Sequence, residues 1–487
     1  MTKPPIQRLR AMPDLFWVRI VAGFQSKDTV MNASNQDCTV HPTRRCLTMA
    51  AILLSGFLLK AVLIGTGAIS FDSDEAVVTL MAKHILAGER PVFFYGQTYM
   101  GSLDAFLTAV AFRLFGTSVF TVRLVQLFLF VGLILVTYRL ARRLYPDETT
   151  AQIGALLTAL PTPLLSLYTT ATLGGYGETL LLGVWLLLLG HQVSHEARDS
   201  WRSWALLGLV GGLAFWTLPL SVVYLVPVAL AVVRQWKWRL GRRYGLALLA
   251  FGIGSSPWWG YCLSHGDACI KPLTESPVEL VVSSGWLQAL GHRVFSFVFL
   301  GIPALWGLRY PWAPRFILLP LTVPTMALYL GSILYALRAR DRNRFLLLAM
   351  GGTFLIVFLG TPFGNDSTGR YLLPLYLLVA LLAAALIQEL NTRRRWLATV
   401  ALACVLAFNL GGTIASGATG PAGMTAQPDA RLQFGNRHDA DLLAFLDKAN
   451  EHYGYGNYWV AFKIDFLSDE EVIMAPRLPY RTDLSYN

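Results

Sequence analysis

Long apolar runs separated by short basic loops are the feature that most constrains how this chain folds. A helix that crosses a bilayer needs about 20 mostly apolar residues, and such runs recur along most of the sequence, beginning with "MAAILLSGFLLKAVLIGTGAIS" at residues 49–70. Only 14% of the 487 residues are charged, whereas average soluble domains carry about 25%. The sequence therefore predicts an all-α polytopic membrane protein.

The net charge of +11 reflects membrane topology. Lys and Arg in short loops mark the cytoplasmic side of a membrane protein. Here they cluster between the apolar runs, at Arg142–Arg143, Arg198 with Arg202, Arg234–Arg243, Arg338–Arg344 and Arg393–Arg395. A nucleic-acid-binding protein would instead carry a basic stripe on one folded face. The sequence shows no such stripe, so nucleic acid is excluded as a partner.

The alternation of basic and non-basic loops predicts about eleven spans. They lie at about residues 47–70, 118–141, 151–168, 177–193, 203–218, 219–234, 244–262, 315–337, 345–362, 371–390 and 396–414. The first span runs outward, so the loop after it is predicted to face the extracytoplasmic side. The run at 294–308 is short, contains Pro303 and would break the charge alternation. It is therefore predicted to be interfacial or re-entrant.

These spans divide the chain into three parts. Residues 1–46 are polar and basic, lack the layout of a signal peptide and are predicted to be a cytoplasmic tail. Residues 47–414 form the transmembrane domain. Residues 415–487 contain a Gly/Ala/Thr-rich linker, a predicted helix "HDADLLAFLDKANEHYG" and two strand-like runs, "YWVAFKIDFLS" and "EVIMAP". They predict a small α/β appendage outside the cell membrane.

Two smaller features leave alternatives open. Cys262 and Cys269 lie in one predicted outer loop, where oxidation is permitted, so a free pair and a disulfide are equally expected. Lys60 lies in the middle of the first span. Its side chain either extends toward the interface or pairs with an acid inside the bundle.

An acidic cluster follows the first span, in the stretch "ISFDSDEAVV" at residues 69–78. Asp72 and Glu75 have the spacing of a capping box, and acids are favoured at a helix N-terminus. The residues that follow have the pattern of an amphipathic helix suited to the membrane surface. One cap needs only one acid, however, and three crowded carboxylates repel each other unless a cation or a proton-transfer role compensates. Capping and chemistry both remain open on spacing alone.

Other polar groups gather at the predicted outer ends of the spans. They are Tyr95, Gln97, Tyr99 and Asp104 in the first outer loop, Tyr176 and Glu178 at the start of one span, and Asp366 and Arg370 at the start of another. Ionisable groups at membrane depth are functional candidates by default. We expect these groups and the acidic cluster to form a polar pocket above the lipid.

Four stretches resemble a known family: "FDSDEAVVTLMAKHILAGERPVFFYGQTYMGSLDAF", "GGYGETLLLG", "GRYLLPLY" and "YGYGNYWVAFKIDFLS". They look like bacterial members of the protein O-mannosyltransferase and aminoarabinose-transferase group, which are membrane glycosyltransferases of the GT-C fold. The resemblance implies that a sugar on a polyprenyl phosphate is transferred, with inversion, to an acceptor at the outer face of the cell membrane. Protein, lipid and glycan acceptors all remain open, as does the identity of the sugar.

The resemblance also implies roles for single residues. Asp74 and Glu75 match the acidic pair of the family, with Asp74 preferred as the general base. Asp72 and Asp74 match a D-x-D arrangement that binds a divalent metal such as Mg or Mn in some relatives. Glu178 matches a second acid that orients acceptor or sugar, and Arg370 matches the basic residue that binds the donor phosphate.

The chain departs from the family in its first loop. The aminoarabinose transferases carry a Lys-Pro-Pro stretch there that helps to hold phosphate, but this chain has "GQTYMGS". Gln97, Tyr99, Tyr95 and Tyr176 are then expected to bind the donor by hydrogen bonds, which leaves the phosphate charge to Arg370 or to a metal.

Two other classes of function compete with transfer. A transporter or lipid-linked-sugar flippase would place charge near the bilayer midplane, in broken helices of repeated halves. A receptor or scaffold would use the C-terminal segment as its binding module. In each of these classes, membrane lipids are partners of the chain.

Overall fold

The computed structural model describes residues 42–237, 241–266, 270–274, 285–312, 315–317, 320–338, 345–419, 422–427 and 433–477. The chain divides into two compact units, Met1–Cys46 and Leu47–Asn487. The predicted cytoplasmic tail falls almost wholly outside the described residues.

The first half of the fold runs from α1 to α9 and contains one small sheet. Its helices are α1 Pro42–Gly65, α2 Ser73–Ala87, α3 Leu103–Phe115, α4 Val119–Leu144, α5 Glu148–Ala159, α6 Pro163–Tyr168, α7 Tyr176–Ser194, α8 Trp201–Thr217 and α9 Val222–Trp236. Strands β1 Phe93–Phe94 and β2 Gln97–Gly101 pair antiparallel between α2 and α3. The first outer loop is thus helix, hairpin, helix, and α2 is the helix predicted after the acidic cluster.

The second half runs from α10 to α20 and ends in a second small sheet. Its helices are α10 Gly241–Gly254, α11 Ser256–His265, α12 Lys271–Thr274, α13 Trp286–Phe295, α14 Ile302–Leu305, α15 Thr322–Arg338, α16 Phe345–Gly360, α17 Leu373–Arg393, α18 Arg395–Gly417, α19 Asp439–Ala449 and α20 Tyr458–Leu467. Strands β3 Tyr453–Gly456 and β4 Ile473–Pro476 pair parallel on either side of α20.

Six helical stretches of the described chain are long and apolar enough to cross a membrane. They are Thr43–Gly65, Val119–Leu144, Pro219–Trp236, Trp286–Leu305, Arg370–Arg393 and Arg395–Gly417, and α16 is a shorter apolar helix. Together with the comparisons reported below, they establish a multi-pass membrane protein. Helix α17 is buried along most of its length, as expected for a helix that is apolar on all sides.

Several predicted spans have different boundaries in the structure. The run 151–168 is divided into α5 and α6, because Pro161 and Pro163 cannot continue a helix. The run 244–262 is divided into α10 and α11 at Ser255. The run 294–308, predicted to be interfacial or re-entrant, overlaps the helical stretch Trp286–Leu305, which has 20 residues and is long and apolar enough to cross a membrane. Within this stretch a π-helical segment joins α13 to α14.

The described part of the C-terminal segment packs against the first outer loop rather than standing apart as an appendage. The backbone N–H of Ser70 donates to the carbonyl of Met424 at 3.0 Å, and the N–H of Met424 donates to the carbonyl of Ala68 at 2.9 Å. Helix α20 packs on α2. Helix α2 is therefore buried over most of its length, whereas its amphipathic pattern predicted a helix lying on the membrane surface.

The strand predicted at "YWVAFKIDFLS" is wrong, because these residues form helix α20. Its aromatic content favours strands, but Tyr458, Phe462 and Phe466 recur every four residues and are buried. Asn457 caps the helix by accepting a hydrogen bond from the N–H of Trp459 at 3.0 Å. The predicted helix corresponds to α19 and the strand "EVIMAP" to β4, so both are confirmed.

The two open alternatives are also resolved. Cys262 is disulfide-bonded. Lys60 is completely buried and neither reaches an interface nor forms an ion pair with a described acid. Its Nζ donates to the carbonyl of Ser166 at 2.9 Å and to the hydroxyls of Thr169 and Thr170 at 2.6 and 2.8 Å. The lysine thus donates hydrogen bonds to groups at the carboxyl-terminal end of α6.

Candidate functional site

A narrow pocket brings together four of the residues that the sequence proposed for a site. It is lined by Asp74, Phe94, Gln97, Met100, Tyr168, Leu173, Tyr176 and Arg370. These residues come from α2, the β1–β2 hairpin, α6, the start of α7 and the turn before α17. The free space is about 10 Å³, which is about the volume that one water molecule needs.

Asp74 lies in the first turn of α2 and is the least buried acid of the cluster. Asp72 is the N-cap of the helix, and its Oδ1 accepts a hydrogen bond from the N–H of Glu75 at 3.4 Å. The capping role predicted for Asp72 is thus confirmed. The side chain of Asp74 lines the pocket, and its Oδ1 accepts a hydrogen bond from the phenol of Tyr458 at 2.7 Å.

Asp72 does not fit a metal site well. Its Oδ2 accepts hydrogen bonds from the hydroxyl of Thr425 and the N–H of Ala426, both at 3.4 Å. Burial, together with the negative charges of Asp74 and Glu75, raises the pKa of Asp72 to about 8. A raised pKa opposes the deprotonated form that a metal binds. Within the described ranges, no three His, Cys, Asp or Glu side chains are arranged to hold a metal.

Glu75 is occupied by a buried ion pair. Both of its oxygens accept hydrogen bonds from Arg123 of α4, from Nε at 3.1 Å and from Nη2 at 2.8 Å. Glu75 is fully buried and Arg123 nearly so. The sequence analysis did not single out Arg123, although a charge inside a predicted span was the signal that could have identified it.

Glu178 does not line the pocket. It lies two residues after Tyr176 on α7, where its Oε1 accepts a hydrogen bond from Nε2 of Gln126 at 2.8 Å. Asp104 is buried nearby and accepts a hydrogen bond from the N–H of Ala105 at 2.8 Å. Burial raises the pKa of Asp104 to about 6. Glu178 and Asp104 are therefore buried in the protein interior behind Tyr176 and do not line the pocket.

The turn before α7 brings Tyr176 to the pocket. Gly174 has a φ of +87°, in the left-handed region that favours glycine. A Cβ at Gly174 would also lie 1.8 Å from the side chain of Met100, which lines the same pocket. The ring of Tyr176 packs edge-on against that of Tyr168, with 4.9 Å between the centroids. Tyr168 was not singled out from the sequence, because it lies within an apolar run.

Arg370 is held from one side by an acid. Its Nε lies 3.0 Å from Oδ2 of Asp366, and its guanidinium carbon lies 5.0 Å from the centre of the Tyr371 ring. Asp366 is buried, and its Oδ1 accepts a hydrogen bond from the N–H of Thr368 at 2.8 Å. Arg370 is the one cation among the residues that line the pocket.

An apolar cavity of about 210 Å³ adjoins this pocket. It is lined by Tyr99, Phe215, Leu218, Pro219, Leu220, Val222, Leu273, Phe354, Val357, Phe358, Thr361, Phe363 and Tyr371. The phenol of Tyr99 donates to Oε1 of Gln97 at 2.8 Å and lies 3.4 Å from the phenol of Tyr371. Tyr99 thus lines the apolar cavity and is hydrogen-bonded to a residue of the polar pocket.

Tyr95 lies elsewhere. Its phenol donates to Glu89 at 3.0 Å and contacts Nδ1 of His84 at 2.8 Å. Burial, together with the hydrogen bond to Glu89, raises the pKa of Tyr95. The other ring nitrogen of His84, Nε2, lies 2.9 Å from Oε1 of Glu470. His84 therefore joins the first outer loop to the C-terminal segment, and Tyr95 contacts His84 from within the loop.

Comparisons with known proteins extend these observations. Residues 102–261, about a third of the chain, match the sequence profile of the family described as dolichyl-phosphate-mannose-protein mannosyltransferase. Over 182 residues, the chain is 31% identical to the undecaprenyl phosphate-alpha-4-amino-4-deoxy-L-arabinose arabinosyl transferase of Pseudomonas aeruginosa (strain LESB58). That alignment covers 35% of this chain and 30% of the relative, so the chain matches about a third of the length of this curated protein.

Two solved structures resemble the fold over most of this chain. ArnT from Cupriavidus metallidurans, bound to undecaprenyl phosphate, has a TM-score of 0.59 and 13% identity, over 89% of this chain and 86% of ArnT. The oligosaccharyltransferase AglB from Archaeoglobus fulgidus, in complex with an inhibitory peptide and a dolichol-phosphate, has a TM-score of 0.54 and 14% identity, over 90% of this chain and 65% of AglB. At such identities the likeness establishes a shared fold. The resemblance seen in the sequence and the polytopic GT-C-like fold that it implies are confirmed.

Proposed function

We propose that this chain, which has the fold of the lipid-phosphate sugar transferases described above, is an inverting glycosyltransferase at the extracytoplasmic face of the cell membrane. It takes a sugar from a polyprenyl phosphate and transfers it to a protein, lipid or glycan. One observation carries the proposal: Asp74 and Arg370 line the same pocket. A carboxylate and a guanidinium beside one space are the base and the phosphate partner that such a transfer needs.

Asp74 is the general base of the proposed reaction. It takes the proton from the hydroxyl or amine of the acceptor as that oxygen or nitrogen bonds to C1 of the sugar. The bond from C1 to the phosphate oxygen breaks on the opposite face, and its electron pair leaves with the phosphate, so the anomeric configuration inverts. No general acid is needed, because a lipid phosphate is a good leaving group.

Arg370 stabilises the departing phosphate. A guanidinium is always charged and offers two parallel N–H donors to phosphate oxygens. The contact with Asp366 holds one edge of the group at 3.0 Å, which fixes its orientation before the donor arrives. Such preorganised charge acts where negative charge develops in the transition state. Gln97, Tyr168 and Tyr176 supply further hydrogen-bonding groups at the pocket.

The apolar cavity beside Tyr99 is suited to the first isoprene units of the donor. An apolar chain with a charged head needs apolar and polar surfaces that adjoin, and Tyr99 and Gln97 join the two here. The solved relatives support this assignment, since ArnT is bound to undecaprenyl phosphate and AglB to a dolichol-phosphate. Because the polar pocket holds only about 10 Å³, its side chains must move when a phosphate enters.

In this proposal, the remaining predicted residues support the site without contacting the substrate. Asp72 caps α2, Glu75 anchors it to α4, and Glu178 supports the start of α7. Tyr95 is left out of the proposed site, because it contacts His84 and Glu89 instead of the pocket. No observation on these residues favours a carrier, and the matched family, the Pseudomonas aeruginosa relative and AglB all carry transferase names.

The test is a transfer assay in proteoliposomes. Undecaprenyl-phosphate-linked 4-amino-4-deoxy-L-arabinose and undecaprenyl-phosphate-linked mannose, each radiolabelled in the sugar, are offered with total cell-envelope material as acceptor. We expect label to move from one of the donors to the acceptor fraction and the Asp74→Asn variant to abolish this movement. Label that crosses the bilayer while still attached to undecaprenyl phosphate, with no label on any acceptor, would contradict the proposal and support a carrier.

A further inference from the structure

The C-terminal helix α20 contributes a side chain to the acidic cluster of the first outer loop. We infer that Tyr458 is a positioning residue for the transfer, because its phenol holds the carboxylate of Asp74 in place and sets the basicity of that carboxylate. The inference rests on the proposed function of Asp74. It makes the C-terminal segment a working part of the transfer site, a role that the sequence analysis did not consider.

The geometry of the contact is well defined. The phenol oxygen of Tyr458 lies 2.7 Å from Oδ1 of Asp74, a normal length for a hydrogen bond from a hydroxyl to a carboxylate. The tyrosine is almost completely buried. Its ring packs edge-on against Trp459 and Phe462, with centroid distances of 5.1 and 5.5 Å. A ring held on two sides fixes where its hydroxyl points.

Helix α20 is itself anchored to α2 and α3. The ring of Phe466 lies 5.6 Å from that of Phe71 and 6.4 Å from that of Phe112. The turn that follows α20 contributes a second anchor, since Nζ of Lys83 lies 2.8 Å from Asp469 and 2.6 Å from Glu470.

A third anchor comes from the loop before α19. Its residue Ala426 donates a backbone hydrogen bond to Asp72. The three anchors are independent and lie in different parts of the C-terminal segment. Tyr458 therefore has a fixed position relative to Asp74 that does not depend on the bond between them.

The bond counteracts the electrostatic surroundings of Asp74. Negative charge comes from Glu75 on the same helix and from Asp366 behind Arg370, whereas positive charge comes from Arg370 across the pocket and from Arg123, which is paired with Glu75. The other groups around the pocket, Gln97, Tyr168 and Tyr176, are neutral. A hydrogen bond donated to a carboxylate stabilises its charged form. The hydrogen bond from Tyr458 thus orients the Asp74 carboxylate and favours the charged form that accepts a proton.

The experiment compares Tyr458→Phe with the parent in the proteoliposome assay, using radiolabelled undecaprenyl-phosphate-linked 4-amino-4-deoxy-L-arabinose or mannose, whichever the parent consumes. We expect the acidic limb of the kcat/KM profile against pH to move upward by roughly one to two units, since one hydrogen bond to a charged group is of that size. We expect kcat on the plateau to fall about tenfold and the donor KM to stay within twofold. Tyr453→Phe, an exposed tyrosine of the same segment, should match the parent in all three measurements.

The outcomes separate this inference from the proposed function. If Asp74→Asn transfers sugar at the parental rate, the proposed function fails and the inference fails with it. If Asp74→Asn is inactive but Tyr458→Phe keeps the parental pH profile, only the role of Tyr458 is refuted. A uniform loss of rate with an unmoved acidic limb, together with a lowered melting temperature in detergent, also refutes it, because that pattern is the one expected of a purely structural tyrosine.

Discussion

Arg123 binds both carboxylate oxygens of Glu75 in the interior of the protein, through Nε at 3.1 Å and Nη2 at 2.8 Å. Glu75 directly follows Asp74 in the chain, so this pair fixes the first turn of α2 to the membrane-spanning helix α4. The residue proposed as the base thus lies between two anchors, the ion pair of Glu75 on one side and the phenol of Tyr458 on the other.

Glu75→Gln should destabilise the fold. Removing one partner of a buried ion pair costs about 3–5 kcal/mol, because the remaining charge is left without compensation. We expect a lower melting temperature in detergent, measured by intrinsic fluorescence. Glu451→Gln is the control, since Glu451 is exposed and such surface changes stay within about 0.5 kcal/mol. Equal melting temperatures for both variants would contradict the structural role of the pair.

Asp74→Asn should remove most of the turnover and leave the fold intact. A positioned base contributes about 10²–10⁴-fold, and the amide keeps the shape of the carboxylate without its proton affinity. The measurement is the initial rate of sugar transfer together with the melting temperature. Asp441→Asn, an exposed acid of α19, is the matched control and should keep the parental rate. Parental turnover in Asp74→Asn would end the assignment of the base.

Arg370→Lys should weaken both the binding of the donor and its turnover. Lysine keeps the charge but loses the paired N–H donors of the guanidinium, so we expect the dissociation constant for undecaprenyl phosphate to rise about tenfold. Arg370→Gln should have a larger effect, because the charge is lost as well. Arg393→Lys, at the exposed end of α17, serves as the control. Donor affinity that is unchanged in Arg370→Gln would rule out the phosphate contact.

Asp72→Asn should change how stability depends on pH. The pKa of Asp72 is raised to about 8 in the folded state, mainly by burial, against about 3.9 in an unfolded chain. The folded state then binds the extra proton between these values, so this group favours folding at low pH and loses that contribution as pH rises from about 4 to about 8. Asparagine mimics the neutral carboxyl. We expect the melting temperature of Asp72→Asn to fall less than that of the parent as pH rises from about 4 to about 8. Parallel curves of melting temperature against pH for the two proteins would contradict the raised pKa of Asp72.

Chelation of divalent metal should leave the transfer rate within about twofold. Burial and the acidic neighbours of Asp72 raise its pKa, and its oxygens already accept hydrogen bonds from Glu75, Thr425 and Ala426. The measurement is the rate in EDTA, followed by restoration with Mg²⁺ or Mn²⁺. A large loss that either ion reverses would show that the D-x-D arrangement binds metal despite these contacts.

Sequence reasoning located the helices better than the pocket. The apolar runs at 118–141 and 396–414 correspond closely to α4 and α18, because length and hydropathy alone define such spans. Whether a residue lines the pocket depends on the direction in which its side chain leaves the helix. Sequence spacing predicts that direction only when the helix boundaries are known. Tyr176 and Glu178 point about 200° apart on α7, so only one of them can line the pocket.

The C-terminal segment was the least predictable part. Residues 458–468 have the composition of a strand, yet their helical form follows from burial against α2 and α3, and no single sequence shows that partner. The contact between Tyr458 and Asp74 joins residues from opposite ends of the chain. Contacts at such separation follow from the tertiary fold, so neither propensity nor periodicity indicates them.

Thr425, Ala426 and Tyr458 contact Asp72 and Asp74. The order in which the chain is synthesised therefore determines when the pocket can be completed. A ribosome that has delivered the membrane-spanning helix α18 has still not delivered the groups that complete the acidic loop. A polypeptide interrupted at this stage would be inserted but incomplete at its pocket, so the pocket would be completed only once Thr425, Ala426 and Tyr458 have been synthesised.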